Sequence, residues 1–110
     1  MKGKHYTSLY ITEGLRNAIQ LIMDETGIDK TSFYEDAFRH FLVSSRDIDP
    51  IILVTKRSDP RYIKRDVLDC AHIDLNQYED LNRIAEEKGC AISCVLFQAL
   101  IDWVGITLFM

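Results

Sequence analysis

Three cysteines and one histidine are the side chains of this sequence that could together hold a metal ion. Cys70 lies two residues before His72, and Cys90 lies four residues before Cys94. Three thiolates and an imidazole could coordinate Zn²⁺, but these spacings match no familiar zinc module. Cys70 also falls on a predicted strand and Cys94 near a predicted helix start, so buried or incidental thiols are the simpler interpretation. We predict neither a metal site nor another cofactor.

The sequence contains no residue pattern typical of catalysis. His5, His40 and His72 have no nucleophile nearby in a Ser/His/Asp or Cys/His arrangement. A glycine-rich loop that could cradle a phosphate is missing as well. The acidic residues are spread along predicted helices, where a solvated surface is a simpler interpretation than a catalytic pair. We predict that the protein is not an enzyme.

Basic residues are few but clustered. The chain carries 13 Lys and Arg against 17 Asp and Glu, a formal net charge of −4, whereas nucleic-acid-binding domains are usually basic. Seven basic residues lie just before the two predicted strands: Lys2 and Lys4, then Lys56, Arg57, Arg61, Lys64 and Arg65. A solvated connector is the ordinary meaning of the second group. Its position nevertheless predicts positive charge at the ends of the strands and negative charge on the helices.

Length and composition indicate a single globular domain, residues 1–110. With 47% hydrophobic residues the chain can bury a sizeable core. No apolar run reaches the ~18 residues of a membrane span, and the basic N-terminus is not followed by an apolar secretion signal. Three cysteines without a secretory context favour a reducing compartment. We expect a cytoplasmic protein that binds no membrane.

An internal repeat organises the chain. Ile11, Ile22, Glu25, Gly27 and Ala37 recur 62 positions later as Ile73, Ile84, Glu87, Gly89 and Ala99. Such a repeat indicates one supersecondary unit that occurs twice. Because one unit is too small to bury its own apolar face, the two copies should pack on each other as a pseudo-dimer. We assign repeat one to residues 4–44, a connecting segment to 45–66, and repeat two to 67–106, with an apolar tail at 104–110.

Each repeat is predicted to fold as strand, helix, helix. Residues 6–11 alternate, with Thr7, Leu9 and Ile11 on one face, and a second strand is expected near 67–73. The apolar helix positions are interpreted as a shared core rather than a ligand pocket. They include an aromatic stripe of Phe33, Tyr34, Phe38, Phe41 and Trp103.

Capping residues predict where the helices begin and end. In repeat one, Thr12 and Thr31 are predicted to cap the two helices. In repeat two, the predicted caps are a capping box of Asp74 with Gln77, and then Ser93. Gly27 and Gly89 should end the first helix of each repeat in a left-handed conformation.

Two apolar segments outside this pattern each allow two interpretations. Residues 51–54 predict either a short strand or an anchor that pins the connecting segment to the core. The tail at 104–110 predicts either a fold-back over that segment or a surface through which two copies associate.

The two repeats resemble the ribbon-helix-helix repressors of the Arc and MetJ type. The matching positions are Ile11-Thr12-Glu13-Gly14-Leu15, Gly27-Ile28-Asp29-Lys30-Thr31 and Ala37 in repeat one, and Ile73-Asp74, Leu81, Ile84-Ala85, Gly89, Ser93 and Ala99 in repeat two. Most members of this family carry one copy and dimerise. This chain would carry both copies, as some relaxosome accessory proteins of conjugative plasmids and T-DNA transfer systems do.

The resemblance implies a mainly α fold with a short two-stranded antiparallel ribbon, built as a tandem pseudo-dimer around a four-helix core. It also implies that outward ribbon side chains read base edges in the major groove, and that amides opening the second helices clamp phosphates. The implied base readers are Tyr6, Ser8, Tyr10, Leu68, Cys70 and His72. The implied phosphate contacts are Lys2, Lys4, Lys30, Thr31, Lys56, Arg57, Lys64, Arg65 and Ser93.

The sequence departs from the family pattern in three respects. Base readers in the family are usually Arg, Lys, Asn, Gln or Thr, whereas this ribbon offers mainly aromatic, small and apolar side chains. Ile92 stands where repeat one has Lys30, so repeat two lacks the basic residue before its predicted cap. Asp69 falls on the face that should be buried, which indicates either a strand-edge position or a different register.

These observations favour sequence-specific binding of double-stranded DNA. The role would be a transcriptional repressor or a DNA-processing accessory protein of a plasmid, virus or other mobile element. Self-association through the tail would raise the affinity for adjacent half-sites. The alternative is a ribbon-helix-helix scaffold for protein–protein interaction, antitoxin-like or inhibitory, whose acidic helices bind a basic partner.

Overall fold

The described chain, residues 3–45, 47–54 and 56–109 of a computed structural model, folds into two β-strands and four α-helices. In chain order these are β1 (Lys4–Ile11), α1 (Glu13–Thr26), α2 (Lys30–His40), β2 (Val67–Asp74), α3 (Leu75–Lys88) and α4 (Ile92–Phe109), with a π-helical turn (Phe41–Ser45) after α2. The order strand, helix, helix therefore occurs twice. The predicted mainly helical fold with a two-stranded antiparallel ribbon is confirmed.

The ribbon of β1 and β2 has one buried and one exposed face. Its strands pair antiparallel from Lys4 opposite Asp74 to Ile11 opposite Val67. Thr7, Leu9 and Ile11 are buried, as the alternation predicted. An isolated pair of strands is marginally stable in water, so this apolar inner face has to be covered by the helices.

All four helices contribute side chains to the core that covers the ribbon. The fully buried residues at its centre include Phe33, Tyr34, Phe38, Phe41, Leu81, Leu96 and Leu100. Trp103, the last member of the predicted aromatic stripe, is half-buried and lies with its ring centroid 5.3 Å from that of His40. The aromatic stripe is thus mainly packing material, as expected.

The start of α1 and the ends of α1 and α3, the first helices of the two repeats, lie where the sequence predicted. The Thr12 hydroxyl accepts a hydrogen bond from the Leu15 amide at 3.0 Å and caps α1. Gly27 and Gly89 follow α1 and α3 with φ of 75° and 67°, a left-handed conformation that favours glycine.

Asp74 caps α3 as predicted, but the capping box with Gln77 is wrong, because neither of its two bonds is the one that forms. Asp74 caps the helix by accepting a hydrogen bond from the Asn76 amide at 2.7 Å. The Gln77 amide does not return to the cap but donates to the carbonyl of Glu35 in α2, at 3.1 Å. Gln77 therefore joins two helices instead of closing one.

The connecting segment is held to the core at one buried side chain. Ile52 is 2% exposed, and its carbonyl accepts a bond from the Cys94 thiol at 3.8 Å. The Asp49 amide donates to Gln98 of α4 at 2.8 Å. Residues 51–53 form turns, so the anchor interpretation of this segment is confirmed and the strand interpretation is wrong.

The apolar tail continues α4 and does not fold back. Residues 104–109 are helical, and Leu108 and Phe109 at their end are 41% and 86% exposed. Among the described residues, α4 is the one helix long and apolar enough to cross a membrane by length and composition, so the sequence-based exclusion of such a segment was too strong. A core helix passes the same test, and residues 94–100 of α4 are buried in this domain.

Two glycine substitutions are expected to change stability in opposite directions. Gly89→Ala should lower the free energy of unfolding by about 1–2 kcal/mol, because a Cβ disfavours the left-handed conformation. Gly105→Ala is the matched control: it lies within α4 with no atom near the added Cβ, and it should raise that free energy by up to about 1 kcal/mol. Urea unfolding followed by circular dichroism measures both. Effects of the same sign would contradict the left-handed helix end.

Candidate nucleic-acid interface

Six side chains come together on the outer face of the ribbon. They are the six predicted base readers, Tyr6, Ser8, Tyr10, Leu68, Cys70 and His72, and we call this set the ribbon face. Tyr6, Tyr10 and Leu68 are each more than half exposed, and Cys70 is half-buried. The alternation of the sequence therefore predicted which face of each strand points outward.

The ribbon face contains no Lys, Arg, Asp or Glu but is rich in hydrogen-bonding groups. The rings of Tyr6 and His72 lie with centroids 5.0 Å apart. A side-chain hydrogen bond shared with Cys70 raises the pKa of the Tyr6 phenol, so the hydroxyl stays protonated at neutral pH. Ser8 and Tyr10 add two exposed hydroxyls. The face can donate and accept hydrogen bonds and make apolar contacts, while any ionic attraction has to come from its surroundings.

Asp69 lies beneath the ribbon face and is fully partnered. It is 8% exposed; one carboxylate oxygen receives the Lys30 ammonium at 2.7 Å and the other accepts a hydrogen bond from the Tyr34 hydroxyl. Burial, and then Asp69, raise the pKa of Tyr34 well above its usual value. Asp69 lies within the strand, opposite Leu9, and its ion pair with Lys30 and the hydrogen bond from Tyr34 explain an acidic residue on the inner face. We call these three residues the Asp69 cluster.

The Asp69 cluster changes the role expected for Lys30. Its ammonium points to a buried carboxylate, with 42% of the side chain exposed. The predicted cap is also different, because Asp29 and not Thr31 caps α2, accepting from the Ser32 amide at 2.7 Å. This bond lowers the pKa of Asp29. The start of α2 therefore holds the carboxylate of Asp29 and a lysine, Lys30, that is already paired with Asp69.

At the start of α4 the predicted cap is also wrong, but the surroundings are basic. Ser93 lies inside the first turn, and the Cys94 amide donates to the Ala91 carbonyl at 3.0 Å. Beside Ser93 opens a cleft of about 280 Å³, which we call the basic cleft. Its lining includes Ser8, Tyr10, Arg57, Tyr62, Arg65 and Ser93.

Aromatic rings hold one arginine of the basic cleft. The guanidinium carbon of Arg65 lies 5.0 Å from the ring centroid of Phe97 and 5.8 Å from that of Tyr62. Phe97 is buried, so this cation rests on a rigid part of the core. The sequence had not pointed to Tyr62 or Phe97. Because the sequence predicts no definite secondary structure for this segment, the spacing of Tyr62 and Arg65 did not indicate that their side chains meet.

The other predicted phosphate contacts are dispersed. Lys4 forms an ion pair with Glu35 of α2 at 2.5 Å, and Lys64 lies 3.6 Å from Asp66. Lys56 is exposed, whereas Thr31 is half-buried. Lys2 lies outside the described residues. Of the nine predicted residues, the structure thus brings Arg57, Arg65 and Ser93 together at the basic cleft, and Lys64 lines a neighbouring cavity with the two arginines and Asp66.

Two of the cysteines, Cys90 and Cys94, lie close enough for a side-chain hydrogen bond, and Cys70 lies elsewhere. Cys70 is on the ribbon face, Cys94 is buried in α4, and Cys90 follows α3. Burial is the main cause that raises the pKa of Cys90. Among the described residues no group of three His, Cys, Asp or Glu side chains is placed to hold a metal ion.

No protein-family model matches this chain, and neither a curated protein nor a solved structure matches it. Its function is therefore inferred from its own residues.

The Asp69 cluster should contribute strongly to stability. Asp69→Ala is expected to lower the free energy of unfolding by about 2–4 kcal/mol, because it leaves the Tyr34 hydroxyl buried without its acceptor. Asp66→Ala is the matched control, since that side chain is 62% exposed and its loss should cost less than about 0.5 kcal/mol. Chemical denaturation measures both variants. Equal values would mean that the buried pair adds nothing.

Proposed function

We propose that the protein binds double-stranded DNA sequence-specifically, with the ribbon of β1 and β2 in the major groove. The observation that carries this proposal is the ribbon face itself: six hydrogen-bonding or apolar side chains aligned on an exposed two-stranded ribbon, with the basic cleft beside it. The major groove admits a two-stranded ribbon. A cavity for a small substrate is not needed to explain any of these residues.

We further propose that the chain is a tandem ribbon-helix-helix pseudo-dimer with a four-helix core. The strand register supports this. Ser8 pairs with Cys70, and these two residues are repeat equivalents, 62 positions apart like Gly27 and Gly89. A pseudo-twofold axis between them exchanges the pair Tyr6–His72 with the pair Tyr10–Leu68. Independent strands would have no reason to pair about equivalent positions.

Packing between the repeats supports the same arrangement. The second helix of each repeat contacts the strand of the other: α2 packs on β2, and α4 packs on β1. Helix α4 also packs on α1, α2 and α3. Neither repeat could bury its apolar face without its copy, which is the property expected of an obligate pseudo-dimer.

The ribbon face suits base recognition that depends on shape and neutral hydrogen bonds. Hydroxyls of Ser8 and Tyr10 and the imidazole of His72 can donate or accept at base edges, and Leu68 can contact a thymine methyl group. Because the ribbon face contains no Lys, Arg, Asp or Glu, phosphate contacts must supply most of the affinity. Arg57 and Arg65 are available for this next to the ribbon.

This activity fits a transcriptional repressor or a DNA-processing accessory protein of a mobile element, acting in the cytoplasm. A protein-binding scaffold is the second candidate, favoured by the exposed carboxylates of α1 and α3, which include Glu13, Asp24, Glu25, Glu79, Glu86 and Glu87. A basic partner would bind such a surface. The exposed Leu108 and Phe109 leave self-association as a further proposal.

Selection from a pool of random duplex DNA tests the proposed function. The purified protein should retain duplexes at low salt, and the affinity should fall steeply as salt rises because counterions are released from phosphates. Repeated selection should enrich one sequence. Absence of binding at low salt would contradict DNA recognition and favour the protein-binding alternative, which a pull-down with a basic partner would then address.

Variants of the ribbon face should lose specificity more than general affinity. Tyr10→Ala and His72→Ala are each expected to weaken binding to the selected sequence by about tenfold, since each removes a base-edge contact. Binding to unrelated DNA should change little. Leu21→Ala is the control, a 49% exposed residue of α1 away from the ribbon. Fluorescence anisotropy with both duplexes measures the ratio; a ratio unchanged from the parent protein would contradict base reading by this face.

A further inference from the structure

The two ends of the ribbon are chemically different, although the repeats are similar. At the end where β2 meets α2, Lys30 forms an ion pair with Asp69, which also accepts a hydrogen bond from the Tyr34 hydroxyl. At the other end, where β1 meets α4, the repeat-equivalent positions carry no charge: they are Ile92, Thr7 and Leu96. One end of the ribbon therefore contains an internally neutralised cation, and the other contains none of its own.

The connecting segment supplies cations to the second end alone. Arg57 and Arg65 reach the cleft beside Ser8, Tyr10 and Ser93. Among the described residues neither arginine forms an ion pair. Arg65 is already oriented by the buried Phe97 ring, so it loses little conformational freedom when it binds.

We infer that the basic cleft holds one DNA backbone phosphate at the β1–α4 end of the ribbon, and that the protein consequently binds DNA in one orientation on a non-palindromic site. A guanidinium fork matches the geometry of a phosphate and can bind two of its oxygens. The Tyr62 and Ser93 hydroxyls lie on the same cleft and can donate to that phosphate. The opposite end offers one exposed arginine, Arg16, beside a lysine bound to Asp69. The Asp29 carboxylate lies at the helix start there, so the phosphate contact at that end is weaker than at the basic cleft with its two arginines.

This inference rests on the proposed function and gives it a direction. A symmetric pseudo-dimer would favour a palindrome, because each half would make the same contacts. Here a backbone contact at one end fixes which strand of the DNA lies next to Arg65. Phosphate contacts set register and orientation without reading sequence, so the orientation is separable from the bases read by the ribbon face.

Charge-removing variants measured on the selected duplex test the inference. Arg57→Gln and Arg65→Gln should each weaken binding about tenfold and reduce the slope of log affinity against log salt by about one. Lys56→Gln removes the same charge from the same segment outside the cleft and should change affinity less than about threefold. Thermal unfolding of each variant verifies that it is folded. Arg57 is exposed, so its substitution does not depend on core packing.

Phosphate ethylation interference on the same duplex supplies the orientation. We expect strong interference on one side of the site centre, and its loss in Arg65→Gln. Symmetric interference, a palindromic selected site, or arginine variants that behave like Lys56→Gln would each overturn the inference while leaving DNA binding intact. Failure of the parent protein to bind any duplex would overturn the proposed function and this inference together.

Discussion

The pairing of β1 with β2 is the constraint on which the rest of the molecule depends. Two strands cannot shield each other, so every second residue of each strand must lie against the helices. A slip of one residue would bury Tyr6 and Tyr10 and expose Leu9 and Ile11. The register of the two strands therefore determines both which residues lie in the core and which lie on the outward face. Helices α1, α2 and α3 are amphipathic, whereas α4 is apolar along most of its length. The ribbon determines which of their faces share one core.

The Asp69 cluster favours the observed register over the alternatives. A buried carboxylate without partners is strongly unfavourable, and in this register Asp69 meets both Lys30 and Tyr34. Any other register would separate the three groups. The Asp69–Lys30 ion pair adds little net stability compared with a pair of apolar residues at the same positions. It does make other strand registers less favourable, because they would leave the buried carboxylate without partners. It also has a functional consequence, because the cation at the start of α2 is used inside the protein.

Much of this architecture was predictable from the sequence because its signals are local or repetitive. Alternation identified the outer face, and the offset of 62 positions between Gly27 and Gly89 aligned the helix ends. The errors occur where a distant group decides. Asp29, two positions before Thr31, caps α2 in its place. The side-chain amide of Gln77 donates to a carbonyl of α2 instead of to its own helix cap. Neither the partner of Asp69 nor the ring beneath Arg65 can be recognised without the packed helices, since both contacts cross from one repeat or segment to another.

A net charge of −4 is compatible with DNA binding only if the charges are separated in space. At physiological salt an exposed charge is largely screened beyond about 8 Å, and the shortest principal extent of the molecule is 25 Å. Carboxylates far from the ribbon therefore repel a docked duplex little, although they oppose approach in other orientations. Since the ribbon face contains no Lys, Arg, Asp or Glu, Arg57 and Arg65 concentrate positive charge at one end of the ribbon. If the protein binds DNA as proposed, the acidic helices reduce non-specific binding by every other surface, so the proposed function does not require a chain that is basic overall.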